Sequence, residues 1–105
     1  MSVITASDAD FDTLLNENGK VIVKYYADWC GSCRLFTPKF KRLSEDERFK
    51  DVTFLEVNAE KSPKARKLAN VDSLPFIAVF KNGELVEGAS TSKEDYVTGM
   101  MDKLN

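Results

Sequence analysis

A chain of 105 residues has room for one hydrophobic core and needs no staples to hold it. Its 43% apolar and 30% charged residues form an ordinary globular composition, which disfavours disorder and membrane spanning, and a net charge of -2 leaves no basic footprint for nucleic acid. There is no histidine, which excludes Ser-His and Cys-His catalysis, His-ligated metals and Cys-x-x-Cys-His haem attachment.

In chain order, residues 1–8 carry neither a positively charged segment nor a long apolar one, and read as mature protein instead of an export signal. Val3-Ile4 is the first expected strand. Ser7 or Asp8 then caps a helix whose Phe11, Leu14 and Leu15 share one face, and Asn18-Gly19 ends it. Residues 21–26, Val-Ile-Val-Lys-Tyr-Tyr, have the β-branched and aromatic composition of a central strand, interrupted only by Lys24. A second helix follows Cys30, with Cys33, Phe36, Phe40 and Leu43 on one face and an expected kink at Pro38. Residues 46–51 are charged and turn, and residues 52–57 form a third strand.

Ser62-Pro63 is an N-cap followed by proline at the first helical position, opening a short helix through Ala65, Leu68 and Ala69. Residues 76–80 form a fourth strand, and Asn82-Gly83 signals a tight hairpin into Leu85-Val86. Thr91 and Glu94 read as a capping box for a last helix that buries Val97, Met100, Met101 and Leu104. The order β-α-β-α-β-α-β-β-α makes a single α/β domain over residues 1–105, with helices on both faces of a sheet and an antiparallel pair at one edge.

The chain's two cysteines are Cys30 and Cys33, three apart where a strand gives way to a helix. At that spacing two thiols can close a disulfide across the first helical turn, and the helix N-terminus favours thiolate. A tetrahedral zinc site needs four ligands where these thiols supply two, so the competing readings are half a metal site shared between chains or two incidental buried cysteines.

Ala27-Asp28-Trp29-Cys30-Gly31-Ser32-Cys33, Pro38, Phe54-Leu55-Glu56-Val57, Pro75, Phe80-Lys81-Asn82-Gly83 and Gly88-Ala89, in this order of elements, resemble thioredoxins over nearly the whole chain. The resemblance implies a central five-stranded mixed sheet flanked by four helices, the dithiol on an exposed rim, and a cis peptide at Leu74-Pro75 facing it. Cys30 is then the nucleophile that attacks a partner disulfide, and Cys33, less exposed, resolves the mixed disulfide. Gly31 allows a tight turn and close approach. Trp29, Leu74 and Pro75 supply substrate contact, completed by a loop at Gly88-Ala89. The family implication extends to function, a thiol–disulfide oxidoreductase with no bound cofactor. The residues themselves add an expectation of no metal, of a reducing, cytoplasmic setting from the missing export signal, and of a monomer, since nothing in the sequence demands more. By the resemblance it would take electrons from an NADPH-linked thioredoxin reductase and act on disulfide-containing proteins. By charge and composition it is expected to bind neither nucleic acid nor membrane.

The chain departs from the family pattern in four places. Ser32 stands where proline is usual, adding a hydroxyl beside Cys30. Lys24 stands where most thioredoxins carry a buried aspartate, and a buried ammonium needs a carboxylate; Glu56 on the adjacent strand is the candidate, giving a Lys24–Glu56 proton-transfer pair under the dithiol with Glu56 or a linked water as base. The alternative is a Lys24 that snorkels to solvent and is structural. The final strand reads as a few residues shorter between Gly83 and Gly88 than the family pattern, which leaves the placement of Gly88 in the groove open. Phe76 replaces a common threonine after Pro75. Ser32 keeps a disulfide oxidase or isomerase open as an alternative, and a non-catalytic binding module is a third reading.

Overall fold

The computed structural model describes residues 3–105. Along the chain, β1 (Ile4–Ala6), α1 (Phe11–Glu17), β2 (Lys20–Tyr26), α2 (Gly31–Ser44), β3 (Thr53–Asn58), α3 (Pro63–Leu68), β4 (Phe76–Lys81), β5 (Glu84–Ser90) and α4 (Glu94–Asp102) follow one another, with a 3₁₀ turn at Glu47–Phe49. The strands lie in the order β1-β3-β2-β4-β5. β1 and β2 run parallel to β3, while β4 is antiparallel to both β2 and β5.

The pleat of β2 divides the core. Val21, Val23 and Tyr25 face one side with Leu55, Val57, Ala78 and Phe80, covered by Phe11 and Leu15 of α1 and Ala65 of α3. Ile22 faces the other with Phe54, Ile77 and Val79, covered by Phe36, Phe40 and Leu43 of α2 and Val97, Met100 and Met101 of α4. Lys24 belongs by parity to this second face, beneath α2, and the parallel register sets Glu56 directly opposite it. The Asn82-Gly83 turn has positive φ at both residues, 53° and 85°, the geometry of a two-residue hairpin.

Three local expectations are corrected. The expected capping box of α4 is not formed: Lys93 is the N-cap, the Thr91 hydroxyl accepts from the Lys93 amide at 3.1 Å, and Glu94 turns instead to Arg42 at 2.6 Å. Neither Ser7 nor Asp8 is the N-cap of α1, which is Asp10; the Asp10 carboxylate accepts from the Ser7 amide at 2.8 Å. Asp8 caps a different helix, accepting from the Lys64 and Ala65 amides of α3 at 3.1 and 2.8 Å, while the local N-cap Ser62 makes no side-chain cap. Third, the loop expected at Gly88-Ala89 is strand: β5 continues through both residues to Ser90, because pairing with β4 as far as Phe76 sustains it through residues of low strand propensity. α2 runs through Pro38 without a break, although proline has no amide to donate to the Arg34 carbonyl one turn earlier.

Candidate active site

β2 ends at Tyr26, and a turn closed by the Cys30 amide on the Ala27 carbonyl at 3.1 Å delivers Cys30 to the start of α2. Cys30 is the N-cap, with extended backbone, and its sulfur accepts from the Cys33 amide at 3.2 Å. Cys30 and Cys33 are joined as a disulfide across this first turn, their Cα atoms 5.3 Å apart. The Ser32 hydroxyl lies 3.6 Å from the Cys30 sulfur. Burial does not separate the two cysteines, which are 3% and 2% exposed; surroundings do. Cys30 sits at the helix mouth with an amide aimed at it, whereas Cys33 lines a cleft of about 440 Å³ together with Lys24, Tyr26, Thr37 and Glu56.

Gly31 has an ordinary negative φ, so the turn itself does not demand glycine; a Cβ there would meet nothing within 4 Å. The position instead leaves open space beside Cys30. Trp29 is 67% exposed, and its indole Nε1 donates to Glu60 Oε2 at 2.7 Å, so it is a held surface ring and not a core residue. The Leu74-Pro75 peptide is cis, and Leu74 packs on the small cluster of Ala27, Cys30 and Cys33. Gly88 and Ala89 do not form a loop at this rim. They pair within the sheet with Ala78 and Ile77, and Gly88 lets the Phe76 ring lie close, since a Cβ there would stand 2.9 Å from it. Ser90 is the β5 residue that reaches the rim, donating its hydroxyl to the Pro75 carbonyl at 3.3 Å.

Beneath Cys33, Lys24 Nζ lies 3.5 Å from Glu56 Oε2 and donates to Thr37 Oγ1 at 2.8 Å; the Thr37 hydroxyl donates to the Cys33 carbonyl at 3.0 Å. Glu56 also accepts from the Thr5 hydroxyl at 2.9 Å. Burial pulls the Lys24 pKa below the ordinary lysine value, with the Glu56 carboxylate opposing the shift. The expected Lys24–Glu56 pair is therefore formed, and it is tied to the backbone of the second cysteine.

The thioredoxin family model matches residues 2–103. The chain belongs to the thioredoxin family. It is 27% identical over 103 residues to Thioredoxin 1 of Plasmodium falciparum, covering 98% of this chain and 97% of that one. It is 32% identical over 87 residues to a thioredoxin of Staphylococcus aureus, covering 83% and 82%. The fold matches a solved Plasmodium falciparum thioredoxin with a TM-score of 0.85 at 26% identity, covering 98% of each chain. It also matches thioredoxin f from spinach chloroplast with a TM-score of 0.90, covering 98% of this chain and 93% of that one, at 20% identity. With the thioredoxin cysteine pair in place at a helix start, the chain is a thiol–disulfide oxidoreductase.

Within this thioredoxin frame, sequence reasoning missed Glu60, Thr37 and Ser90. Thr37 carried a signal, standing four residues after Cys33 on the same helix, where a hydroxyl can return to the i−4 carbonyl. Glu60 and Ser90 carried none, because each meets its partner only through tertiary folding.

Proposed function

We propose that the protein is a cytoplasmic disulfide reductase that takes electrons from an NADPH-linked thioredoxin reductase and passes them to disulfides in other proteins. Cys30 is the nucleophile and Cys33 the resolving thiol. The observation that carries this reading is the Cys33 amide directed at the Cys30 sulfur on the first turn of α2, which together with the helix dipole favours a thiolate at Cys30. In the reduced protein that thiolate attacks one sulfur of a partner disulfide and releases the partner's other sulfur as thiolate. Cys33, deprotonated, then attacks Cys30, the mixed disulfide breaks, and the second partner sulfur leaves with the electron pair. Glu56 opens onto the same cleft as Cys33, and Glu56 or a water in that cleft is the proton acceptor in this reading. Trp29, Leu74 and Pro75 form the substrate rim, and the open space at Gly31 admits the attacked sulfur. A cytoplasmic setting suits a working form with both thiols reduced, because glutathione and thioredoxin pools hold thiols in that state.

A second reading, as oxidase or isomerase, has one observation in its favour: the Ser32 hydroxyl near the Cys30 sulfur can donate to a thiolate and stabilise the reduced form. The deciding assay couples NADPH oxidation through thioredoxin reductase to reduction of insulin disulfides. Sustained turnover that vanishes in Cys30→Ser supports the reductase. Failure to accept electrons, with rapid oxidation of reduced peptides by the disulfide form, supports the oxidase instead.

A further inference from the structure

Among the described residues, Lys24 is the only Lys or Arg buried from solvent, 2% exposed in the middle of the central strand. Packing alone gives no reason for it. The same face of β2 is apolar at Ile22, and a methionine would fill a similar volume without the desolvation cost of an ion. The ammonium has partners nevertheless. Besides Glu56 and Thr37, it lies 5.6 Å from the ring centroids of both Tyr26 and Phe40.

The Thr37 link has a direction. An ammonium can only donate, so the Thr37 hydroxyl that accepts from it is left to donate onward, and it does so to the Cys33 carbonyl. Two hydrogen bonds thus join a buried positive charge to the backbone of the resolving cysteine, and both side chains line one cleft.

We propose that Lys24 is a positioning residue for the resolving step: through Thr37 it holds the turn of α2 at Cys33, and its charge is the one against which the Cys33 thiolate forms. This rests on the disulfide-exchange reading above and assigns one half-reaction to a residue outside the dithiol. In that half-reaction the Cys33 proton passes to the cleft, to Glu56 or water. The thiolate forms a bond to the Cys30 sulfur, the bond from Cys30 to the partner breaks, and the partner sulfur takes the electron pair and then a proton. An opposite charge nearby favours the anionic thiol, and does so more strongly in a partly dry cleft than in water.

The other charged and titratable groups around Lys24 are Glu56 from β3, Lys41 and Glu45 at the far end of α2, Asp28 and Arg34 at the cleft mouth, and Tyr26 on its own strand. Glu56 is the nearest anion, but its two oxygens already engage Lys24 and the Thr5 hydroxyl. The cation is therefore the group in this network tied by hydrogen bonds to Cys33.

The test separates the two half-reactions by stopped flow, using an aromatic disulfide dye whose thiolate product absorbs. The first release reports attack by Cys30 and is measured alone in a Cys33→Ser background. The second reports resolution by Cys33. With Lys24→Met, the pKa governing the second release rises by about one unit. At pH 7 that release slows about threefold, because a tenfold loss of thiolate is partly offset by higher nucleophilicity. The first release changes less than about twofold, since Cys30 is activated from the helix mouth. Thr37→Val moves the second release in the same direction by less, since it cuts the relay and keeps the charge. An unmoved pH profile for the second release, or both releases slowing in proportion, overturns the proposal. Should Lys24→Met fail to fold, an unchanged second release in Thr37→Val overturns it alone. A wild-type protein that gives a first release and no second overturns the exchange reading itself.

Discussion

Trp29 and Glu60 come from two different loops, yet the indole Nε1 of one donates to the carboxylate of the other at 2.7 Å, which gives an exposed ring a fixed place beside the disulfide. A second tie, Ala59 amide to Tyr26 carbonyl at 2.8 Å, holds the same two loops together at their base. A flat apolar surface next to a reactive sulfur is useful to a partner only if it does not have to be ordered on each encounter.

Removing the hold makes binding supply that order. Glu60→Ala frees the Trp29 rotamers, and re-ordering one such side chain costs about 0.5–1.5 kcal/mol, so KM for insulin disulfides rises about two- to tenfold. The second release from the disulfide dye, which depends on Cys33, stays unchanged. A KM equal to that of wild type would show that the ring does not need its anchor.

Asp8 predicts the opposite pattern, a loss of stability without a loss of chemistry. It caps α3 from outside that helix, so Asp8→Ala strips two amides of their acceptor. The expected loss is about 1 kcal/mol in urea unfolding. Exchange rates in the native protein stay as they are, because α3 packs on the face of the sheet away from Cys33. Unfolding at the wild-type midpoint would assign the cap to water.

Much of this fold was legible because period and composition agree with it. The apolar run before Cys30 is the central strand, the i, i+3, i+4 faces are helices, and Asn82-Gly83 makes the expected hairpin. The Lys24–Glu56 pair was legible too, since a buried ammonium demands a carboxylate and β3 was expected beside β2. The misses share one physical origin. Asp8 found amides on a helix more than 50 residues away, Glu94 found Arg42 in place of its own helix end, and Ser90 stayed in strand because β4 offered it a partner. In each, a tertiary partner displaced the local one, and no local pattern records that competition.

Tyr25 carries a pH signature. It is buried on the α1/α3 face, its hydroxyl donates to the Ala65 carbonyl at 2.8 Å, and burial pushes its pKa well above the ordinary tyrosine value. The raised group binds its proton more tightly folded than unfolded. Its contribution is therefore complete below the unfolded pKa of about 10 and is lost as pH climbs past it. Stability should fall with pH above about 10 in wild type, and more shallowly in Tyr25→Phe. Parallel alkaline slopes in the two proteins would clear Tyr25 of that role.

The central claim is that Cys30 attacks and Cys33 resolves. Its most direct measurement is the fate of Cys33→Ser after incubation with a disulfide-bearing protein such as insulin, read by peptide mass mapping. The account predicts a stable mixed disulfide carried on Cys30 and released by added reductant, with none formed on Cys33 by Cys30→Ser over the same interval. Adducts accumulating on Cys33 of Cys30→Ser as fast as on Cys30 of Cys33→Ser would contradict the assignment of the two thiols.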